Sequence, residues 1–199
     1  MKTVVIHGKV IEPVSPKVQF PDADLWVCTH TQQQYTKRGA RLDDWDEWFE
    51  LHPVERTPFY AGVRHLRPNT LAWYRTLPAH GRPLWMLTVD KTIPASRRFP
   101  IEDVEAMFPP DPNEDGQHWT CQVDYMIPYA ILRGYDHIVL HGHGVESKRI
   151  AHMLDHRGIL YWIGFARGRG VRVTVLKPSW YRAPKKRYAY ETGGLSKAR

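Results

Sequence analysis

Short apolar runs alternate with helical stretches along this chain, and turn residues bound each one. That pattern predicts an α/β class, a Rossmann-like three-layer domain around a mainly parallel sheet. Two observations carry the expectation. The runs at residues 3–7, 24–28, 84–88, 138–140 and 171–175 are largely apolar rather than alternating, as in strands covered on both faces. In the second half, helical segments separate them, as parallel pairing through right-handed crossovers requires. The 199 residues, 42% hydrophobic and 25% charged, suffice for one domain with its own core. We read that domain over residues 1–182, with a basic tail over 183–199.

The elements follow in order. Thr3 to His7 is a β-branched run closed by Gly8. Pro13 and Pro16 keep the next segment from forming a long helix. Asp24 to Cys28 reads as a second strand, and Trp48 to Leu51 as a short third one. Pro68-Asn69-Thr70 offers a helix start that lasts until Pro78. Leu84 to Val89 is the fourth strand, and Ile101 to Phe108 a short helix. A helix from about Val123 to Leu132 contains Pro128, where a kink is expected. Ile138-Val139-Leu140 is the clearest strand, followed by a helical region strongest from Leu160 to Arg167 and a last strand over 171–176.

Composition narrows the function classes. The formal charge is +7, but residues 183–199 supply +4 of it, so the body is only mildly basic. Such a tail is a solvated segment or a nucleic-acid arm. Cys28 and Cys121 form no CxxC pattern, so neither a zinc ribbon nor a disulfide framework is expected. The first apolar run is too short for a signal segment or a membrane span. We therefore expect a cytoplasmic protein of a bacterium or phage-infected host cell, without membrane partners. GxGxxG, the Walker sequence GxxxxGK[ST] and GxSxG are all absent, which disfavours a dinucleotide fingerprint, a P-loop kinase and an α/β-hydrolase.

In open α/β sheets, ligands sit beyond the carboxyl ends of the strands. That rule selects Gly8, Lys9 and Ser15 after the first strand, and Thr29 and His30 after the second. It selects Glu50 and His52 around the end of the third. Asp90 and Lys91 follow the fourth. His141, Gly142 and His143 close the strand at 138–140. His52 and His141 are the candidate general bases, since imidazole titrates near neutral pH. Glu50 lies two residues before His52, on the same face of the pleat, where it can orient the ring. The His141-Gly142-His143 run lacks a third ligand at a recognised spacing, so no metal is expected, and no cofactor.

Several segments resemble a family of phage-encoded Rossmann-like proteins. They are Trp45 to Pro53, Pro83-Leu84-Trp85-Met86, Trp119-Thr120-Cys121, Gly134 to Gly142, and Tyr161-Trp162-Ile163-Gly164 with Arg167-Gly168-Arg169-Gly170. That family is distantly similar to Campylobacter-type sialyltransferases and to motility-associated glycosyltransferases. The resemblance implies a nucleotide or nucleotide-sugar ligand held by the first loop and by a helix start at Thr120, Cys121 and Gln122. Phe165 falls in the stretch where the sialyltransferases carry a catalytic His, and His143 replaces an acidic residue, so sialyl transfer itself is not implied. The leading expectation is a nucleotide- or nucleotide-sugar-binding, transferase-like protein, with a phage glycosyltransferase as its more specific form. The alternative is a non-catalytic nucleic-acid-binding accessory protein using its basic surface and tail.

Overall fold

The computed structural model describes residues 1–8, 15–28, 44–52, 68–79, 81–109, 118–143 and 150–176, with the backbone alone at 68, 69 and 150–155. In chain order the elements are β1 (Thr3–His7), α1 (Pro16–Gln19), β2 (Asp24–Cys28), β3 (Glu47–Glu50), α2 (Pro68–Arg75), β4 (Leu84–Met86), β5 (Ser96–Arg98), α3 (Ile101–Met107), α4 (Gln122–Leu132), β6 (His137–His141), α5 (Ile150–Gly168) and β7 (Arg172–Val175). The strands form one seven-stranded sheet in the order β5-β4-β3-β2-β1-β6-β7. Every pairing is parallel. The expected fold class is the observed one, and the sheet is wholly parallel among the described residues.

The order reverses direction once. From β1 the chain builds outward through β2 to β5, then returns to place β6 against the other side of β1. The crevice between β1 and β6 is thus the topological switch point of the sheet. Side-chain alternation gives each face its own core. Val4, Ile6, Trp26, Phe49, Ile138 and Leu140 face α3, α4 and α5, where Val104, Met126, Ile127 and Trp162 meet them. Val5, Leu25, Val27, Trp48, Leu84 and Val139 face the opposite way, with Tyr74 and Leu77 from α2 and its exit packed against them.

Local chemistry explains the ends of the helices. Ser15 caps α1 by accepting from Lys17 N at 3.3 Å, and Pro16 stands at its first turn. Gly170, at φ +82°, stops the chain after α5 where an L side chain would be strained. Pro128 lies inside α4 rather than ending it. It leaves the Asp124 carbonyl without its usual intrahelical partner.

Three expectations change. β5 was not foreseen, because Ser96-Arg97-Arg98 has no apolar run. An edge strand needs only one ladder partner, and among the described residues β5 pairs with β4 alone. The strand expected over 84–89 stops at Met86, where a turn held by Asp90 and Thr92 begins. Ser15, expected after the first strand at the carboxyl edge, lies at the amino edge instead. Its hydroxyl donates to Asp44 Oδ2 at 2.7 Å, and Lys17 beside it pairs with Asp46, just before β3. The chain has to cross back to that edge before β2 can run parallel to β1.

The amino edge is tied by a charged and aromatic cluster. Arg133, after α4, donates to Glu47 Oε1 at 2.5 Å, while Trp85 Nε1 donates to Glu47 Oε2 at 2.6 Å. The guanidinium also covers the rings of Trp26, Tyr129 and Tyr135. Glu47 is nearly buried, so removing its cation leaves an uncompensated charge. Arg133→Ala is expected to lower the unfolding free energy by about 2–3 kcal/mol in a urea titration. Arg133→Lys should recover less than half of that loss, because an ammonium cannot reproduce the planar stacking.

Candidate functional site

The carboxyl edge carries two polar clusters. Side-chain parity puts their strand residues on the same face, the one that packs α2.

The first cluster sits at the switch point. β1 and β6 end in the same pattern, Val5-Ile6-His7-Gly8 and Val139-Leu140-His141-Gly142, and the register sets His7 beside His141. The two Nδ1 atoms are 2.9 Å apart, a contact that needs a hydrogen on one and a lone pair on the other. Both rings are buried. Burial, followed by the neighbouring His141 and His143, brings the His7 pKa down to about 3, so this ring is neutral at physiological pH. His143, also buried, donates from Nε2 to the Ile6 carbonyl at 2.9 Å. Gly8 N donates to the His141 carbonyl at 2.8 Å. A Cβ on Gly8 would stand 2.7 Å from the Gly142 carbonyl oxygen and 2.7 Å from His143 Nδ1. Gly8 is therefore bare to admit its own neighbours, and Gly142 turns the chain at φ +69°.

The second cluster follows β3. Glu50 is fully buried. His52 Nδ1 lies 2.7 Å from Glu50 Oε1 and 3.1 Å from Gln122 Nε2. The carboxylate is nearer and only accepts, so Nδ1 carries the hydrogen and Nε2 is the basic nitrogen of the ring. Tyr74, buried in α2, donates to the other Glu50 oxygen at 2.8 Å. Burial and the adjacent Glu50 push the Tyr74 phenol well above its ordinary range, which keeps it a donor. Gln122, the first residue of α4, accepts from Leu51 N at 3.2 Å. The helix start is thereby fastened to the strand end.

Beside Gln122, Thr120 is exposed and Cys121 half-buried. Asp124 Oδ2 accepts from Thr120 N and Oγ1, both at 2.7 Å, and from Cys121 N at 3.0 Å. Its other oxygen is buried and has no hydrogen-bond partner among the described residues. Gly158 of α5 closes over this carboxylate: a Cβ there would lie 2.3 Å from Oδ2. Burial is the leading influence on Asp124 and raises it to about 6, against the pull of those hydrogen bonds.

The structure thus groups His141, Gly142, His143 and Gly8 at the switch point, and Glu50, His52, Gln122, Cys121 and Thr120 around the end of β3. Ser15 stands apart. Lys9, Thr29 and His30 lie outside the described residues. Lys91 is exposed in the turn after β4. His7, Tyr74 and Asp124 were not foreseen. The repeated Val-Ile/Leu-His-Gly ending was the available signal for His7. For Tyr74 and Asp124 the sequence offers none, since their partners lie on other elements. Among the described residues no His, Cys, Asp and Glu group of three or more is arranged to hold a metal ion.

No protein-family profile matches the chain, and no curated protein matches it. Among solved structures, the chain is distantly similar to the Campylobacter jejuni sialyltransferase CstII. Against its complex with the substrate analogue CMP-3FNeuAc, identity is 16%, coverage 89% of this chain and 81% of that one, and the TM-score 0.46. Against its complex with cytidine-5'-monophosphate, the values are 15%, 89%, 80% and 0.42.

Asp124 and His7 act on stability in opposite directions. Asp124 holds its proton to a higher pH when folded, so its contribution is complete below pH 4 and is lost as pH rises through about 6. His7 resists protonation when folded, so its contribution is complete above its ordinary value of 6.5 and is lost as pH falls toward about 3. In chemical denaturation, the stability of Asp124→Asn relative to wild type should climb by on the order of 3 kcal/mol between pH 4 and pH 7. His7→Gln should show the reverse, gaining on wild type as pH falls below 6.

Proposed function

We propose that this protein is a group transferase that uses a nucleotide-activated donor, a nucleotide sugar in the first instance, with His52 as general base. The contact between Glu50 and His52 carries the reading. A fully buried carboxylate, held from behind by Tyr74, fixes the hydrogen on His52 Nδ1 and turns Nε2 into the proton acceptor. That arrangement sits at the sheet edge where α/β folds receive their ligands.

The step asked of His52 is simple. Nε2 takes the proton from an acceptor hydroxyl as its oxygen forms a bond to the transferred group. The bond from that group to the donor phosphate breaks, and the phosphate leaves with the electron pair. Glu50 stabilises the imidazolium so formed. The switch point at β1 and β6 lies two to three strand spacings from β3, roughly 10–14 Å, a span suited to a nucleotide donor. Thr120, Cys121 and Gln122 lead into α4, whose first turn favours a phosphate through the positive end of the helix dipole, although the N–H groups of Thr120 and Cys121 are held by Asp124. In this reading His141 and His143 shape the floor of the donor site, because their rings are buried and engaged with β1. Lys9 and Lys91 are the cations available to offset phosphate charge.

Thermal-shift measurements with a panel of nucleoside mono- and diphosphates and nucleotide sugars test the reading. At least one should raise the melting temperature, because a ligand that binds only the folded state stabilises it. His52→Ala should leave the ligand-free melting temperature within a few degrees of wild type and reduce turnover of that donor by roughly 100-fold or more. Should no member of the panel bind, or His52→Ala turn over normally, the proposal fails.

A further inference from the structure

We propose that the outer face of α5 and the turn into β7 form a binding strip for single-stranded nucleic acid. Its residues belong neither to the transferase site nor to the basic tail. Arg157, Leu160, Tyr161, Gly164 and Gly168 are exposed and follow the spacing of one helix face. Arg167, Arg169 and Arg172 extend that face around the end of the helix, all three exposed. No acidic residue occurs from His156 to Arg172. Elsewhere among the described residues three cations meet a carboxylate, Lys17 with Asp46, Arg98 with Glu102 and Arg133 with Glu47, while Arg75 and Arg97 donate to neutral oxygens. The four arginines of the strip have no carboxylate within ion-pair distance among the described residues. The positive field of the strip is therefore not neutralised from within.

Shape and chemistry favour a linear polyanion. Arg157 and Arg167 are ten residues apart on α5, which places them roughly 15 Å apart along its axis. Guanidinium groups engage phosphate oxygens in a bidentate fork. Tyr161 stands in the middle of the strip, 41% exposed, with its ring stacked on His118 at 3.7 Å and 14°. An aromatic platform between cations is the arrangement on which unpaired bases stack while the groove follows the backbone. Gly164 and Gly168 meet nothing where a Cβ would stand, so a strand can approach the helix backbone closely.

Fluorescence anisotropy with a fluorescein-labelled single-stranded oligonucleotide of mixed sequence, titrated with the full chain at several salt concentrations, tests the proposal. Arg157 and Arg172 are the residues to change, because neither side chain donates a hydrogen bond within the described fold. The double variant Arg157→Ala with Arg172→Ala should bind roughly tenfold more weakly at 0.1 M salt, and its log–log salt slope should be shallower by about 1.4, near 0.7 per lost phosphate contact. Tyr161→Ala should weaken binding to the single strand more than to a duplex of the same sequence. Melting temperatures of all variants are measured alongside, and the single variant Arg157→Ala serves if the double variant does not fold. Absence of binding by the wild type overturns the proposal. So does a double variant that binds like wild type, which places the interaction elsewhere, for instance on the tail. Binding to vesicles of phosphatidylglycerol and phosphatidylcholine with none to the oligonucleotide also overturns it.

Discussion

Parallel strands cannot be joined by tight turns, so each strand of this sheet is reached by a crossing over one of its faces. Most of what is chemically distinctive in the protein depends on that constraint. It brings the carboxyl ends of all the strands to one edge and the amino ends to the other. It also forces the layers: helices that make the crossings must bury an apolar side, and the sheet must be apolar on both faces to receive them. The single reversal of strand order, at β1, then opens the crevice in which His7 and His141 meet.

The two edges are stabilised in different ways. At the amino edge Glu47, Asp24 and Asp46 each meet a donor of matching chemistry: Arg133 and Trp85, Tyr135, and Lys17. At the carboxyl edge the buried polar groups are held less completely. His7 is neutral because its surroundings exclude its charge, and one oxygen of Asp124 has no hydrogen-bond partner among the described residues. Buried groups carry perturbed titration where chemistry or ligand binding needs it, and stability is lost in return. Asp124 also couples helices: its carboxylate occupies the space under Gly158, so the start of α4 and the middle of α5 are joined by a contact too close for any side chain.

Much of the fold could be read from the residues, because apolar runs as dense as Val4-Val5-Ile6 and Ile138-Val139-Leu140 have few alternatives to a covered strand. β5 escaped that reading because its three residues are held by backbone pairing and by Ser96, not by an apolar face. The proximity of Glu50 to His52 was legible from the two-residue period of a strand, which needs no knowledge of the fold. The meeting of His7 with His141 was not, since it depends on register between strands 134 positions apart. Ser15 illustrates the opposite limit. Its place in a loop after β1 was clear, but the direction of that loop depends on where β2 begins.

β5 brings a different consequence. The open side of a sheet is a template on which a second chain can add a strand. Here that side is three residues long, and two of them are exposed arginines. Arg97 folds back to donate to the carbonyls of Ala79, Pro94 and Ser96. An incoming strand would have to strip a guanidinium from three acceptors before it could pair. Among the described residues, charge and brevity therefore oppose growth of the sheet at this end.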